Sequence, residues 1–170
     1  VQLHGKELSF NNIVDVDSAW SSVKDISNFP AVSIIKHTNP CGYATGNTLA
    51  QAFERAWQGD DISAFGSIIA FSQELDEETA LMIKGKFVEV LIAPSYSREA
   101  VDVLSKKEDL RILQAPSSSN GSKELRFVNS GVLVQSSDDV LANEVKVVSV
   151  HEFPDDLRRL AAFSYKAVKH

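Results

Sequence analysis

Short, mostly apolar runs alternate along this chain with segments of helical periodicity, and this alternation limits the possible folds more than any other feature. Each run has four or five residues, and β-branched side chains are frequent in most of them. Such runs are typical of buried strands. Strands separated by helices favour an α/β fold with a largely parallel sheet. The four runs are residues 31–35, 67–71, 88–92 and 110–113.

The segments between the runs have apolar residues at helical spacing, and several begin with a capping or acidic residue. Capping side chains and early negative charge both stabilise a helix N-terminus. We therefore predict a helix in each of these segments, one before the first run and one at the end of the chain. The predicted helices begin near residues 17, 49, 76, 97 and 154.

The last third of the chain is predicted to contain a loop and two strands. Residues 115–123, Ala-Pro-Ser-Ser-Ser-Asn-Gly-Ser-Lys, are of low complexity and are predicted as a loop. Residues 127–135 and 144–150 are predicted as strands that form a hairpin-like, antiparallel pair.

The composition is that of a soluble globular domain. With 170 residues, 44% hydrophobic and 24% charged, the chain fits one domain spanning 1–170. A net charge of −6 without a basic stripe argues against nucleic-acid binding, and no apolar run approaches the roughly 18 residues of a membrane span. Cys41 is the only cysteine, so we expect a cytoplasmic protein without disulfides. Neither end carries a start or stop signal, and we expect a piece of a longer protein.

Lys36 and His37 directly follow the first run, and the turn-forming residues 39–42 (Asn-Pro-Cys-Gly) come after Thr38. At the carboxyl end of a buried strand, both side chains are expected at the edge of the sheet where α/β proteins bind ligands. Histidine can act as a general base near neutral pH, and lysine can stabilise developing negative charge. The alternative is that Lys36 only faces the surface and that His37 is hydrogen-bonded to its own turn. Residue types alone leave the catalytic and the surface interpretation open.

Cys41 is a candidate nucleophile or, together with His37, a candidate metal ligand. The zinc deaminase pattern requires His-x-Glu and Pro-Cys-x-x-Cys, whereas Thr and Asn follow His37 and no second cysteine follows Cys41. The four histidines also lack the spacing of metal ligands. We predict no metal site, and a buried, unreactive Cys41 is the commoner alternative to a nucleophile.

Residues 63–67 (Ser-Ala-Phe-Gly-Ser) form a loop of mostly small residues that leads into the second run. Gly66 would let the backbone approach a ligand, and Phe65 could stack on a flat ring. A tight turn with Phe65 in the core is the alternative. The loop is neither a phosphate loop nor a dinucleotide fingerprint, because the required glycines and Gly-Lys-Ser/Thr are missing.

Glu89 interrupts the apolar residues 87–92. A carboxylate in such a strand must be paired, reach solvent at the edge or accept hydrogen bonds from a ligand. A bidentate contact with an amino-pyrimidine or a carboxamide would satisfy it, and so would a structural ion pair.

Several stretches occur in the order and spacing of one known family. Together they resemble the transformylase domain of the bifunctional AICAR transformylase/IMP cyclohydrolase enzymes, and the resemblance covers nearly the whole chain. The stretches are residues 4–12, 36–42, 63–66, 87–94, 104–107 and 162–170.

The resemblance implies a fold and a reaction. The fold is a three-layer α/β/α sandwich with a mixed, mostly parallel sheet, similar to cytidine deaminase but without catalytic zinc. The reaction is formyl transfer from 10-formyltetrahydrofolate to the 5-amino group of AICAR in de novo purine (IMP) biosynthesis. A folate-dependent formyltransferase of this kind has the folate as co-substrate and AICAR as nucleotide substrate.

The resemblance also implies roles for individual residues. His37 matches the family's proton acceptor, which also contacts the nucleotide, and Lys36 matches the residue that stabilises the transition state. The residues that match Gly66 and Glu89 contact the base or carboxamide of the nucleotide. Phe65 and Ile62 match positions near the folate, and relatives can carry Met where Ile62 stands.

The resemblance further indicates what residues 1–170 lack, since they match only the first half of the transformylase domain. The cyclohydrolase domain, an upstream Arg-Tyr pair and a later Ser-Asn-Ala stretch with a catalytic Asn lie outside them. Family enzymes also complete their sites across a homodimer. We therefore expect the full-length protein to be a homodimeric formyltransferase and residues 1–170 alone to be inactive. A non-catalytic nucleotide-binding or dimerisation scaffold is the alternative.

Overall fold

The computed structural model describes residues 1–115, 123–137, 146–148, 150 and 153–170, which form five helices and eight strands. The strands are β1 (Gln2–His4), β2 (Ala31–Lys36), β3 (Asn39–Thr45), β4 (Ser67–Phe71), β5 (Val88–Ala93), β6 (Arg111–Gln114), β7 (Lys123–Val128) and β8 (Gly131–Ser136). The helices are α1 (Phe10–Lys24), α2 (Leu49–Gly59), α3 (Glu77–Lys84), α4 (Arg98–Leu104) and α5 (Asp155–Val168). In the part of the chain so described, no helix has the length and apolar character needed to cross a membrane.

Six of the strands form one mixed sheet in the order β1-β6-β5-β4-β2-β3. Strands β4, β5 and β6 are parallel, whereas β2 is antiparallel to β4, β3 to β2, and β1 to β6. Four of these six strands therefore point in the same direction. The α/β class and the mixed, mostly parallel sheet are confirmed, and the three-layer likeness to cytidine deaminase stays a prediction.

Apolar side chains are buried against both faces of this sheet. Adjacent residues of a strand point to opposite faces, and Ile34 and Ile35 accordingly belong to two different clusters. The first cluster contains residues of α2, α3 and α4. The second contains residues of α1 and is covered in part by Phe163 of α5. The predicted runs are nearly continuous in apolar residues because both faces of their strands are covered.

A tight hairpin joins β2 to β3, so the predicted turn at 39–42 is wrong. Lys36 pairs with Asn39, which leaves His37 and Thr38 as the turn. Both have positive φ, 51° and 65°, which is the arrangement of a type I′ turn and matches the twist of the strands. Pro40 is tolerated in β3 because β3 is the edge strand.

The pairing of β2 with β4 decides which end of the sheet carries Lys36 and His37. Ile35 pairs with Ile68 in antiparallel register, and Ser67 pairs with Val88. The carboxyl end of β2 therefore lies beside the amino ends of the parallel strands β4 and β5. The expectation that the pair lies at the usual carboxyl-end ligand edge is wrong, because that argument holds only for parallel neighbours.

Helix α1 begins at Phe10, well before the predicted start at residue 17. Ser9 Oγ accepts a hydrogen bond from the Asn12 backbone N–H at 3.1 Å, and Asn12 Oδ1 accepts one from the Ser9 N–H at 3.2 Å. This reciprocal pair is a capping box, with asparagine in place of the usual Glu or Gln. The added turns bring the N-terminal half of α1 close to the hairpin tip.

In the last third of the chain, one predicted strand is wrong, and parts of the predicted loop and of the other predicted strand lie outside the described residues. Residues 127–135 are not one strand, because β7 and β8 form an antiparallel hairpin that turns between Val128 and Gly131. Residues 116–122 of the predicted loop lie outside the described residues. So do residues 144, 145 and 149 of the predicted strand 144–150, whereas 146–148 are not in a strand.

The end of α5 contacts the end of α1 through Asp25. Lys166 Nζ donates to the Asp25 carbonyl at 2.7 Å, while Lys169 Nζ and His170 Nε2 lie 3.1 and 3.0 Å from Asp25 Oδ2. Burial raises the pKa of Asp25, but the hydrogen bonds and charges of His170 and Lys169 outweigh it and leave that pKa below its ordinary value. This carboxylate therefore contributes to holding α5 in place.

Candidate functional site

The Lys36 ammonium is held by two backbone carbonyls of the loop before β4. Nζ donates to the carbonyl oxygen of Phe65 at 2.6 Å and to that of Gly66 at 3.2 Å. An ammonium has three N–H donors, and the described residues offer no acceptor to the third. The loop thus orients the amine and leaves one donor for a ligand.

Gly66 is the residue that allows this close approach. Its φ is +68°, and a Cβ there would lie 3.1 Å from Phe87 Cε1 and 3.3 Å from Lys36 Nζ. The Gly66 N–H donates to the Phe87 carbonyl at 2.9 Å, which ties the loop to the start of β5. Left-handed backbone and crowding together favour glycine at this position.

Two phenylalanine rings lie beside the lysine. The Phe65 and Phe87 centroids are 4.8 Å apart with an interplanar angle of 38°. Phe65 is 63% exposed and Phe87 is 50% exposed, so the alternative of Phe65 as a core residue is wrong. The exposed ring faces could receive a flat ligand.

Ile62 lies on the same loop and is 85% exposed. Asp60 shapes this part of the loop, since its carboxylate accepts from the Ser63 N–H at 2.9 Å and from Ser63 Oγ at 2.6 Å. The same hydrogen bonds lower the pKa of Asp60. Ile62 is thus presented at the surface by an ordered turn, and the described contacts do not join it to Lys36.

His37 is exposed at the hairpin tip, and no described residue forms a hydrogen bond with its ring. Its backbone carbonyl, in contrast, accepts from Thr38 Oγ1 at 2.6 Å and from Asn39 Nδ2 at 2.8 Å. The adjacent Thr38 N–H donates to Asp15 Oδ1 of α1 at 2.8 Å. The backbone of the tip is therefore fixed, while both ring nitrogens remain open to a ligand.

Glu89 faces α1 because β5 contains a bulge at this point. Ser67 pairs with Val88 and Ile68 with Val90, so Glu89 is the extra residue, and bulges redirect side chains in this way. Glu89 Oε2 accepts from Asn12 Nδ2 at 3.1 Å and lies 3.9 Å from Arg111 Nη1. The side chain is 41% exposed, so it is both paired and accessible, and Oε1 has no partner among the described residues.

The structure connects five of the six predicted site residues through two sets of contacts, and Ile62 is the one left out. Lys36, Phe65 and Gly66 are in direct contact. Helix α1 connects His37 with Glu89. Its residue Asp15 binds the turn that carries His37, and Asn12, about one helical turn earlier, binds Glu89. Lys36 and Glu89 place a positive and a negative group in this region. A polar ligand with both donors and acceptors would suit such a surface.

Sequence reasoning missed Asn12, Asp15 and Phe87. The spacing of Ser9 and Asn12 was a usable signal, because a capping pair there starts α1 early and puts Asn12 and Asp15 on one face. Phe87 carried no comparable signal, since an aromatic residue before a strand is ordinary.

Cys41 is half-buried in β3, and its Sγ donates to the Ile34 carbonyl at 3.5 Å. Burial raises the pKa of the Cys41 thiol, which disfavours the thiolate that a nucleophile requires. Among the described residues no group of three or more His, Cys, Asp or Glu side chains could hold a metal ion.

Comparisons with known proteins identify relatives along the full chain. The profile of the AICARFT/IMPCHase bienzyme family matches residues 1–170. Proteins named bifunctional purine biosynthesis protein PurH from Rippkaea orientalis, Halalkalibacterium halodurans and Petrotoga mobilis are 45%, 43% and 42% identical to it. The alignments cover 99% of this chain and 34%, 34% and 33% of those relatives. The chain thus spans about a third of the length of the curated relatives it matches.

Proposed function

Because this chain belongs to the AICARFT/IMPCHase bienzyme family, whose members are purine biosynthesis enzymes, we propose that it supplies the base and the cation of a formyl transfer site. The donor is 10-formyltetrahydrofolate and the acceptor is the 5-amino group of AICAR. The proposal rests on the Lys36 ammonium, which two carbonyls orient, and on the adjacent His37, whose exposed ring has no hydrogen bond to any described residue.

The proposed chemistry divides the work between these two side chains. The aromatic amine is a weak nucleophile, so His37 removes its proton as the nitrogen attacks the formyl carbon. The C=O of the formyl group becomes an oxyanion, which the remaining Lys36 N–H stabilises. The intermediate then collapses: the bond between the formyl carbon and N10 of the folate breaks, and the proton held by His37 passes to N10. Tetrahydrofolate and the formylated nucleotide leave.

The neighbouring groups fit the two substrates. Glu89 Oε1, which has no partner among the described residues, would accept from N–H donors such as those of a carboxamide. Gly66 has no side chain and would let the nucleobase approach the backbone closely. The exposed Phe65 ring offers a flat surface to the folate, and Ile62 adds an exposed apolar contact on the same loop. Phe65 and Ile62 are both in the loop that orients Lys36. Folate binding to this loop would therefore also affect the orientation of the Lys36 ammonium.

We propose further that residues 1–170 are the first half of a cytidine deaminase-like transformylase domain. The helices packed against both faces of the mixed sheet and the one-third coverage of the relatives support this. The full-length protein would be a homodimer, and residues 1–170 alone would be inactive. Formyl transfer by the isolated residues above that of a His37→Ala control would contradict the last point.

The experiment that tests the function uses the full-length protein with His37→Ala or Lys36→Ala. We expect kcat to fall by about 10²–10⁴ for His37→Ala and by about 10²–10³ for Lys36→Ala, with AICAR affinity much less affected. Lys84→Ala is the matched control, because Lys84 is an exposed lysine of α3 with no described hydrogen bond or ion pair to a site residue. Unchanged turnover in either site variant would remove the role proposed for that residue. AICAR binding without folate binding or turnover would favour the scaffold alternative.

A further inference from the structure

The hairpin tip adopts a backbone conformation that its residues disfavour. His37 and Thr38 are the only non-glycine residues with positive φ among those that the structure describes. Type I′ turns prefer Asn-Gly or Asp-Gly, and a β-branched residue such as Thr38 is a clear outlier in this region. Such conformations persist only where the surroundings enforce them, and they concentrate at functional sites.

Two of the hydrogen bonds that hold the tip are internal to the hairpin. Thr38 Oγ1 and Asn39 Nδ2 both donate to the His37 carbonyl. These bonds shape the turn, but they would move with it if the hairpin bent. They cannot by themselves hold the His37 ring at a fixed position relative to Lys36 and the loop before β4.

The third hydrogen bond connects the tip to the body of the protein. Asp15 Oδ1 accepts from the Thr38 N–H at 2.8 Å, and Asp15 projects from the middle of α1. Helix α1 is itself firmly placed, because Ala19 and Val23 are fully buried and the capping box closes its start. Asp15 is therefore a side chain through which a rigid element can fix the turn that carries His37.

From this geometry we propose that Asp15 is a positioning residue for His37, an inference that rests on the function proposed above. Asp15 accepts the Thr38 N–H and keeps the turn in its left-handed conformation, which holds the imidazole in reach of the amine that it deprotonates. The neighbouring Asn12 binds Glu89 from the same helix. Helix α1 thus aligns the base with the carboxylate that recognises the nucleotide.

The test compares Asp15→Ala, Asp15→Asn and Asp17→Ala in the full-length protein. Asp17 is an exposed carboxylate of α1 and serves as the control. We expect Asp15→Ala to lower kcat by roughly tenfold to a hundredfold, as misplacement of a reacting group does, with little change in the KM for the nucleotide. Asp15→Asn keeps an oxygen acceptor and should restore most of kcat, and Asp17→Ala should behave like the unmodified protein.

Two further measurements separate the possible causes. Hydrogen exchange of the Thr38 amide should accelerate in Asp15→Ala and remain slow in Asp15→Asn. In a His37→Ala background, Asp15→Ala should cause no further loss of kcat, because the two residues act through one group.

The outcomes distinguish this inference from the function it rests on. If His37→Ala leaves turnover unchanged, the proposed function fails. If His37→Ala lowers turnover but Asp15→Ala does not, the function stands and the positioning role is overturned. The positioning role is also overturned if Asp15→Ala lowers kcat and Asp15→Asn does not restore it. It is overturned as well if Asp15→Ala lowers kcat by the same factor in the His37→Ala background.

Discussion

Replacing Gly66 with alanine tests whether the loop before β4 needs a left-handed residue in order to hold Lys36. An alanine at φ +68° costs about 1–2 kcal/mol relative to the right-handed region. Against this, alanine restricts the unfolded chain and recovers about 0.4–1 kcal/mol. The new Cβ would lie 3.1 Å from Phe87 Cε1 and 3.3 Å from Lys36 Nζ, closer than a relaxed carbon contact of about 3.5–4.0 Å. We therefore expect Gly66→Ala to lower the free energy of unfolding by roughly 1 kcal/mol.

The assay is urea unfolding followed by circular dichroism, and Gly85→Ala is the matched control. Gly85 has φ −83° at the end of α3, and apart from its neighbours in the chain no atom lies within 4 Å of a Cβ built there. Alanine at that position should be neutral or stabilise by up to about 1 kcal/mol. In the full-length protein, Gly66→Ala should also reduce kcat, because the displaced ammonium no longer meets the oxyanion. Equal unfolding midpoints for the two variants, together with unchanged turnover, would refute the reasoning.

Three other predictions concern the core, the thiol and the docking of α5. Leu91 is fully buried in β5, so Leu91→Ala should lower the free energy of unfolding by about 2–5 kcal/mol, whereas Leu81→Ala, 52% exposed, should cost far less; similar urea midpoints would contradict this. Because burial raises the pKa of the Cys41 thiol, iodoacetamide should alkylate native Cys41 much more slowly than the unfolded chain at pH 7.5, as read by mass spectrometry; equal rates would contradict it. The lowered pKa of Asp25 stabilises the folded state above the unfolded pKa of about 3.9, and this contribution is lost as pH falls through the lower folded pKa. The stability difference between the unmodified protein and Asp25→Asn should therefore shrink below about pH 4, and a difference that is constant with pH would exclude this linkage.

The strands of the sheet could be predicted from the sequence wherever burial alone determined them. The run 31–35 is buried throughout, and its β-branched residues favour a strand without reference to any partner. Strand β3 could not be predicted in the same way, because Asn39, Pro40 and Gly42 are turn residues by local preference. Gly42 is nevertheless required in the strand, since a Cβ there would lie 2.3 Å from the carbonyl oxygen of Ala56 on α2.

The central pair of the candidate site, Lys36 and His37, could be predicted from the sequence. The residues that hold this pair in place could not. Lys36 and His37 are adjacent in sequence, so their proximity needs no fold, and the roles proposed for them come from the family resemblance. The contact of Asp15 with Thr38 spans 23 positions, and that of Asn12 with Glu89 spans 77. No local pattern encodes such contacts, because they depend on how α1 packs across the sheet.

The amino-acid sequence by itself determined the strands of the four apolar runs, the existence of the five helices, and which pair could act as base and cation. These features follow from side-chain hydrophobicity, backbone preference and acid–base chemistry, which are local properties. Only the tertiary structure decided that β2 is antiparallel to β4 and that the pair therefore lies at the amino ends of the parallel strands. It also decided that two carbonyls orient the lysine and that one helix fixes a strained turn, because these arrangements arise from contacts between residues distant in the chain.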